Sequence, residues 1–269
     1  MVGDYPVTKL FKQQAPFEFA DVKVPNTAFK RVVRDLEFDL AELAIMTFLL
    51  AKVHGKPLRL LPAVVTSRFQ HPLLVYNTER NSFSSVKAIE GKKIGQRSYS
   101  VTTATWIRGI LADQYGVDLS KIRWITFEEP HVAEFRDPPN VQRAPADKNV
   151  TDMLLAGEID AAIVAAPPTD PRLKPLIPDP QAAAAEWRKK FGAIQINHML
   201  VVKENISASQ ANEFFELMKK SKEAAGNPAA NPFGIEENRH NLEVAIDCIY
   251  RQNMLPRRPS VDELFKERG

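Results

Sequence analysis

The sequence predicts an α/β protein of two lobes, and three observations carry that reading. Strand-like apolar runs alternate with amphipathic helical stretches along nearly the whole chain. A twelve-residue pattern occurs twice, as Arg34-Asp-Leu-Glu-Phe-Asp-Leu-Ala-Glu-Leu-Ala-Ile45 and as Leu155-Ala-Gly-Glu-Ile-Asp-Ala-Ala-Ile-Val-Ala-Ala166. Each copy closes a helix, turns through Glu-apolar-Asp and opens an apolar run of the kind buried on both faces in a parallel sheet. Two such units, far apart in sequence, imply two lobes of similar design. A cleft between lobes is where a small ligand commonly sits.

The elements follow in order. Residues 27–36 read as a helix capped by Asn26 or Thr27, with Phe29, Val32, Val33 and Leu36 on one face. Phe38–Ala44 is a strand, Phe48–Val53 a helix closed by Gly55, and Leu58–Val65 a buried strand. A loop over 66–72 leads to an extended Leu73–Asn77. Lys92–Gly95 is the next strand; Ser98–Thr103 then opens a helix through Trp106, Ile107, Ile110 and Leu111 that ends near Tyr115-Gly116. Ile122–Phe127 is a strand, while Pro130–Pro145 has little periodicity and reads as a surface loop. A helix at Val150–Ala156, stopped by Gly157, feeds a strand at Ile159–Ala165. A proline-rich connection over 167–180, a helix at Gln181–Lys190, a strand at Ile194–Val202 and helices near 208–225 and 235–253 complete the chain. Crossings near 73–78 and 195–203 would form a two-stranded hinge. They divide the chain into residues 1–74 plus 200–269 and residues 75–199.

Composition narrows the function classes. A chain of 269 residues can bury a substantial core, and 44% hydrophobic with 26% charged residues describes an ordinary globular protein. A net charge of +3 without a run of Lys or Arg argues against a nucleic-acid partner. No stretch reaches the apolar length of a membrane span, so membrane insertion is not expected. The N-terminal Met-Val-Gly-Asp-Tyr-Pro has no secretory character, so the expected location is cytoplasmic, or periplasmic if a leader lies upstream. The single cysteine, Cys248, sits in an apolar helical stretch and reads as a buried hydrophobe. No Walker loop, Gly-x-Gly-x-x-Gly or Gly-x-Ser-x-Gly is present, and the histidines lack ligand spacing; neither a metal nor a cofactor is expected.

Local chemistry points to a small organic anion as partner. Ser98, Tyr99, Ser100, Thr102 and Thr103 lie where a strand feeds a helix, and free first-turn amides plus hydroxyls suit an anion. The plainer alternative there is capping by Ser100. Arg68 and His71 flank Phe-Gln after a buried strand; Arg can grip a carboxylate and His can carry a proton, or both can serve a surface ion pair. His198, inside an apolar strand, is either a satisfied core histidine or, if that strand lines the cleft, an acid.

An ordered set of motifs then resembles the 4,5-dihydroxyphthalate decarboxylase family. It comprises Gly3-Asp4-Tyr5, Phe38-Asp-Leu-Ala-Glu42, Leu61-Pro62 with Ser67-Arg-Phe-Gln-His71, Gly91-Lys-Lys-Ile-Gly95, Tyr99, Thr102, Trp106-Ile-Arg-Gly-Ile-Leu111, Tyr115-Gly-Val117 and Trp124. The late Asn238-Arg239 and Pro259–Phe265 resemble that family's C-terminal end. The family is in turn similar to type II periplasmic solute-binding proteins, which implies a two-lobed fold with the ligand cleft between lobes. The resemblance implies decarboxylation of a hydroxyaromatic carboxylate, with His71 or His198 as acid. It also implies ligand contacts from Asp4, Tyr5, Glu42, Arg68 and the Ser98–Thr103 turn. The related alternative is a non-catalytic binding component of a transporter, partnered by a permease. The chain departs from the family pattern at Pro6-Val7-Thr8, at Ala165–Thr169 and at Glu128–Val132.

Overall fold

The computed structural model describes residues 1–14 and 17–266. The helices are α1 (Lys9–Gln14), α2 (Ile45–Val53), α3 (Thr102–Tyr115), α4 (Val150–Ala156), α5 (Pro180–Phe191), α6 (Ala208–Ala224), α7 (Ile235–Tyr250) and α8 (Val261–Phe265). The strands are β1 (Leu40–Ala44), β2 (Leu58–Ser67), β3 (Leu74–Asn77), β4 (Lys93–Gln96), β5 (Arg123–Thr126), β6 (Val141–Arg143), β7 (Ala161–Ile163), β8 (Leu173–Pro175) and β9 (Ile196–Lys203). Two compact units result. The first joins Met1–Arg68, His131–Glu134 and Ala193–Gly269; the second joins Phe69–Pro130 and Phe135–Gly192. The sequence pattern placed these boundaries at 74/75 and 199/200, and it did not separate His131–Glu134 from its flanks.

In the first unit, β9 lies between β1 and β2 and is antiparallel to both. Leu200 and Val202 of β9 pack with Phe11 of α1 and with Ala211, Phe214 and Met218 of α6. Helices α2 and α7 contact the same strand. Every residue of β1 after Leu40 is buried. The parallel ladder expected from the first repeat is therefore corrected. Burial on both faces reports what covers a sheet, and strand direction is a separate matter.

The helix expected over 27–36 is shortened to 29–35 and is π-helical for most of its length. Thr27 donates its hydroxyl back to Val24 O, and Pro25–Thr27 forms a 3-10 turn. Arg31–Asp35 is a π-helical turn that ends with Leu36 in the left-handed region at φ 50°. Helix α2 starts at Ile45, directly on β1, earlier than the Phe48 read from the pattern.

The second unit holds a six-stranded sheet in the order β6-β5-β4-β7-β3-β8. Strands β4, β5, β6 and β7 run parallel, and β3 is antiparallel to both β7 and β8. The second repeat behaves as expected: α4 ends at Gly157 (φ 78°), and the chain turns into β7 alongside β4. The segment read as a surface loop, Pro130–Pro145, instead supplies the edge strand β6 and the buried His131 and Val132. Strand β8 likewise falls inside the proline-rich 167–180 connection.

Candidate functional site

A buried polar cluster in the first unit is built on a cross-strand diagonal. Glu42 of β1 faces Leu200, and His198 lies two residues back along β9, on the same face of the pair. Glu42 is fully buried and accepts three hydrogen bonds. Gly3 N donates to Oε2 at 2.6 Å; Tyr5 Oη and His198 Nδ1 donate to Oε1 at 2.9 and 2.8 Å. A buried carboxylate holds its place only with such partners.

Gly3 can approach this closely only because it lacks a Cβ. One added there would meet Tyr5 Cε2, Glu42 Oε2 and Pro25 Cγ within 2.9 Å. The turn Pro6–Thr8 pins the arm, with Thr8 Oγ1 donating to Gly3 O at 2.7 Å. The departure at Pro6-Val7-Thr8 thus falls on a segment that builds the site. Burial first, then the charge of Glu42, pushes the Tyr5 phenol well above its ordinary range, so Tyr5 stays a donor.

With Nδ1–H committed to Glu42, the chemistry of His198 falls to Nε2. That atom carries a lone pair in the neutral ring and a proton in the charged one. The imidazole is 15% exposed, so it is partly open to solvent. Phe29 stands edge-on to it at 5.1 Å and edge-on to His131 at 5.7 Å. His131 Nδ1 lies 2.9 Å from Thr47 Oγ1. Phe29, Thr47 and His131 were not singled out from the sequence as site residues. The available signal was a buried-looking His-Val pair inside a stretch without periodicity.

Other predicted residues fall elsewhere. Asp4 neighbours the cluster in sequence, but its side chain is 87% exposed and pairs with Lys12 Nζ at 2.5 Å. Arg68 is exposed at the end of β2, its backbone N–H donating to Gln195 O at 3.2 Å. His71, by contrast, is fully buried in the second unit. Gln114 Nε2 donates to Ala183 O at 3.0 Å, so Gln114 Oε1 faces His71 Nε2 at 2.8 Å and makes that nitrogen the proton bearer. Burial holds the His71 pKa below its ordinary value. Nδ1 is then a buried lone pair without a hydrogen-bond partner. His71 is therefore a poor proton donor where it lies.

The Ser98–Thr103 turn is formed differently from its prediction. Helix α3 is capped at Val101, and no side chain caps it, so Ser100 does not play the capping role expected. Ser98, Ser100 and Thr102 are buried, Thr103 is half-buried, and Ser98 Oγ has no hydrogen-bond partner. Tyr99 is enclosed by its own unit. The Arg108 guanidinium lies 3.7 Å over its ring, Phe135 stacks on it, and Trp124 meets it edge-on. Arg108 is wholly buried, donating to Gln96 Oε1 at 2.9 Å and Thr105 Oγ1 at 3.2 Å. What this turn offers an anion is a helix start without a side-chain cap, next to the unpartnered Ser98 hydroxyl.

The fold class follows from the solved structures. The alkanesulfonate-binding protein SsuA from Xanthomonas axonopodis pv. citri superposes with a TM-score of 0.56 at 13% identity, covering 98% of this chain and 96% of that one. The periplasmic aliphatic sulphonate binding protein SsuA from Escherichia coli gives 0.54 at 14% identity, over 98% and 96%. The chain thus has the α/β fold of type II periplasmic binding proteins. Its sequence relatives carry another name. A 4,5-dihydroxyphthalate decarboxylase from Comamonas testosteroni is 30% identical over 196 residues, which is 68% of this chain and 59% of that protein. One from Pseudomonas putida is 28% identical over 176 residues, 61% of this chain and 68% of that protein. The resemblance to the 4,5-dihydroxyphthalate decarboxylase family holds, and the match spans about three fifths of the Comamonas protein. No protein-family model matches the chain. Among the described residues, no helix is long and apolar enough to cross a membrane.

Proposed function

We propose that the chain is a cofactor-independent decarboxylase of a hydroxylated aromatic carboxylate, with 4,5-dihydroxyphthalate the first substrate to test. The relatives' name supports the reaction, and one observation carries it to particular residues. Three donors lock the buried Glu42, and one of them is the His198 Nδ1–H, which leaves Nε2 as the working atom.

In this reading the imidazolium of His198 gives its Nε2 proton to the ring carbon that bears the departing carboxylate. A hydroxyl para to that carbon delocalises the resulting cation, so the ring itself is the electron sink. The bond to the carboxylate then breaks, its electron pair restores aromaticity, and carbon dioxide leaves. One proton is consumed, and neutral His198 regains it from water. Glu42 stabilises the charged ring and fixes its tautomer, while Tyr5 and Gly3 hold Glu42. The first turn of α3, which no side chain caps, and the Ser98 hydroxyl beside it suit a carboxylate. Arg68 adds a guanidinium suited to the same chemistry. His71 has no part in the proton transfer.

The test is carbon dioxide release from 4,5-dihydroxyphthalate by the purified protein, with His198→Gln as its partner. Turnover that falls at least about 100-fold in the variant, the scale of general acid catalysis, with unchanged thermal melting, supports the assignment. Equal turnover removes His198. A second reading draws on the binding-protein fold: the chain captures an organic anion without chemistry and hands it to a permease. Ligand-induced stabilisation with no carbon dioxide released would favour it.

A further inference from the structure

His198 is tied to Glu42 by one hydrogen bond from Nδ1, at 2.8 Å. A single hydrogen bond sets a distance and a direction, yet it leaves the imidazole free to twist about the line to its acceptor. The direct cross-strand partners of His198, Ala44 on β1 and Thr66 on β2, are both small. A large ring meets it from outside the sheet. Phe29 stands edge-on to His198, with centroids 5.1 Å apart and planes at 84°. Aromatic pairs in this arrangement are favourable beyond the area they bury. A twist of the imidazole would break the arrangement, so Phe29 removes the freedom that Glu42 leaves.

Phe29 is itself braced. It is fully buried, and His131 also meets it edge-on, at 5.7 Å and 87°. His131 is tied at two points. Its Nδ1 lies 2.9 Å from Thr47 Oγ1 of α2, and its carbonyl accepts from Arg34 Nε at 2.8 Å. Arg34 belongs to the π-helical turn just after Phe29, so one short segment carries the ring and clasps its support. Lys56 Nζ, 2.7 Å from Glu134, secures the far end of the His131–Glu134 stretch. The backbone of the segment is unusual for its sequence. Arg31–Asp35 contains neither Gly nor Pro, yet it winds as a π turn, and Leu36 closes it at φ 50° and ψ 39°. Such turns and such left-handed residues collect at functional sites. Val32 and Val33, both buried, fix the turn to the core.

We propose that Phe29 is a positioning residue for His198, and that His131 supports it by acting through Phe29. The inference rests on the reading of His198 as the proton donor. Phe29 keeps the imidazole in the plane where Nδ1–H meets Glu42 and Nε2 is left for the substrate. Neither Phe29 nor His131 touches the reacting atoms; together they set the direction in which the proton leaves.

The test is nitrogen-15 NMR of histidine-labelled protein, read beside turnover of 4,5-dihydroxyphthalate. The His198 signals are identified by their loss in His198→Gln. At the alkaline end of a titration the two ring nitrogens report which of them carries the proton. The unsubstituted protein should show one tautomer, protonated at Nδ1. In Phe29→Leu a second population protonated at Nε2 should appear. There kcat should fall at least about tenfold with KM within about twofold, because a small misplacement of a reacting group costs up to about 100-fold. His131→Leu should produce both changes to a smaller degree, and it reads the same device if Phe29→Leu does not fold. Phe214→Leu is the control. It removes a buried ring of the same unit that packs on Phe17 rather than on either histidine, and it should change neither readout. A single Nδ1 tautomer retained in Phe29→Leu, the same mixture in Phe214→Leu, or kcat preserved with KM raised would each overturn the proposal. An unchanged His131→Leu would overturn the part given to His131. The tautomer is read without turnover. A protein that releases no carbon dioxide therefore sinks the decarboxylase reading, while the NMR arm still decides whether Phe29 orients the ring.

Discussion

Glu42 in the first unit and Arg108 in the second are both fully buried charged residues, each at the centre of a hydrogen-bonded cluster. Their surroundings differ in what they leave over. Arg108 donates to Gln96 and Thr105 and lies over the face of Tyr99, residues of its own unit. Glu42 is spent on Gly3, Tyr5 and one nitrogen of His198, and the second nitrogen of that ring is not used by Glu42. A buried charge held by an amide, a hydroxyl and a ring face is architecture. A buried charge whose partner has a second titratable atom, on a ring partly open to solvent, can pass its influence outward.

The largest effect that would test this contrast is on stability. Arg108→Met should destabilise the second unit by about 3 kcal/mol, because Gln96 and Thr105 lose a charged donor in a buried setting. Urea unfolding followed by tryptophan fluorescence reads it, since Trp124 lies 5.7 Å from the guanidinium. A change below about 0.5 kcal/mol, the scale of an ordinary surface substitution, would show that the cluster contributes little.

Next comes the other side of the comparison. Glu42→Gln keeps the volume, but the amide cannot offer the carboxylate's charge to His198. Turnover should fall by about 10- to 100-fold through kcat, with KM for 4,5-dihydroxyphthalate nearly constant, as loss of a group acting only in the transition state requires. A rise in KM with kcat preserved would instead make Glu42 a ligand-binding residue. A smaller effect is expected at the edge of the first unit. Arg68→Ala should remove ligand-induced thermal stabilisation by a carboxylate and leave the melting temperature of the unliganded protein within a degree or two. Retained stabilisation would take Arg68 out of the site.

How much of this was legible beforehand can be argued from the two copies of the twelve-residue pattern. The α/β alternation and the second copy were fully readable, because Gly157 after α4 and the apolar β7 obey local rules. The first copy misled on direction, since two-sided burial is common to central parallel strands and to β1 beneath its helices. Glu42 and His198 were each visible, yet their partnership was not. It depends on the β1–β9 register, a relation between residues 156 positions apart. His131 was missed because nothing local marks a short segment that packs with a unit other than that of its chain neighbours. His71 resembled an acid in sequence for a different reason. A motif shows the residue type, while burial against Gln114 decides what that residue can do.

The smallest effect contrasts the two histidines directly. His71 has its pKa held below the usual 6.5 by burial, with Gln114 opposing only in part. Above pH 6.5 the ring is neutral in both folded and unfolded chains, and its contribution to stability is complete. Below 6.5 the unfolded chain takes up a proton that the folded one refuses. Unfolding free energy must then fall as pH falls, with a slope of at most about 1.4 kcal/mol per pH unit, until the folded pKa is reached. His71→Gln keeps a donor toward Gln114 and removes the titration. Urea unfolding at several pH values between 7 and 5 should therefore show a shallower decline in the variant, with turnover per folded molecule unchanged. An identical decline would mean that His71 accepts its proton inside the fold. A parallel loss of turnover would return it to the list of acids and leave the separation between the two histidines without its basis.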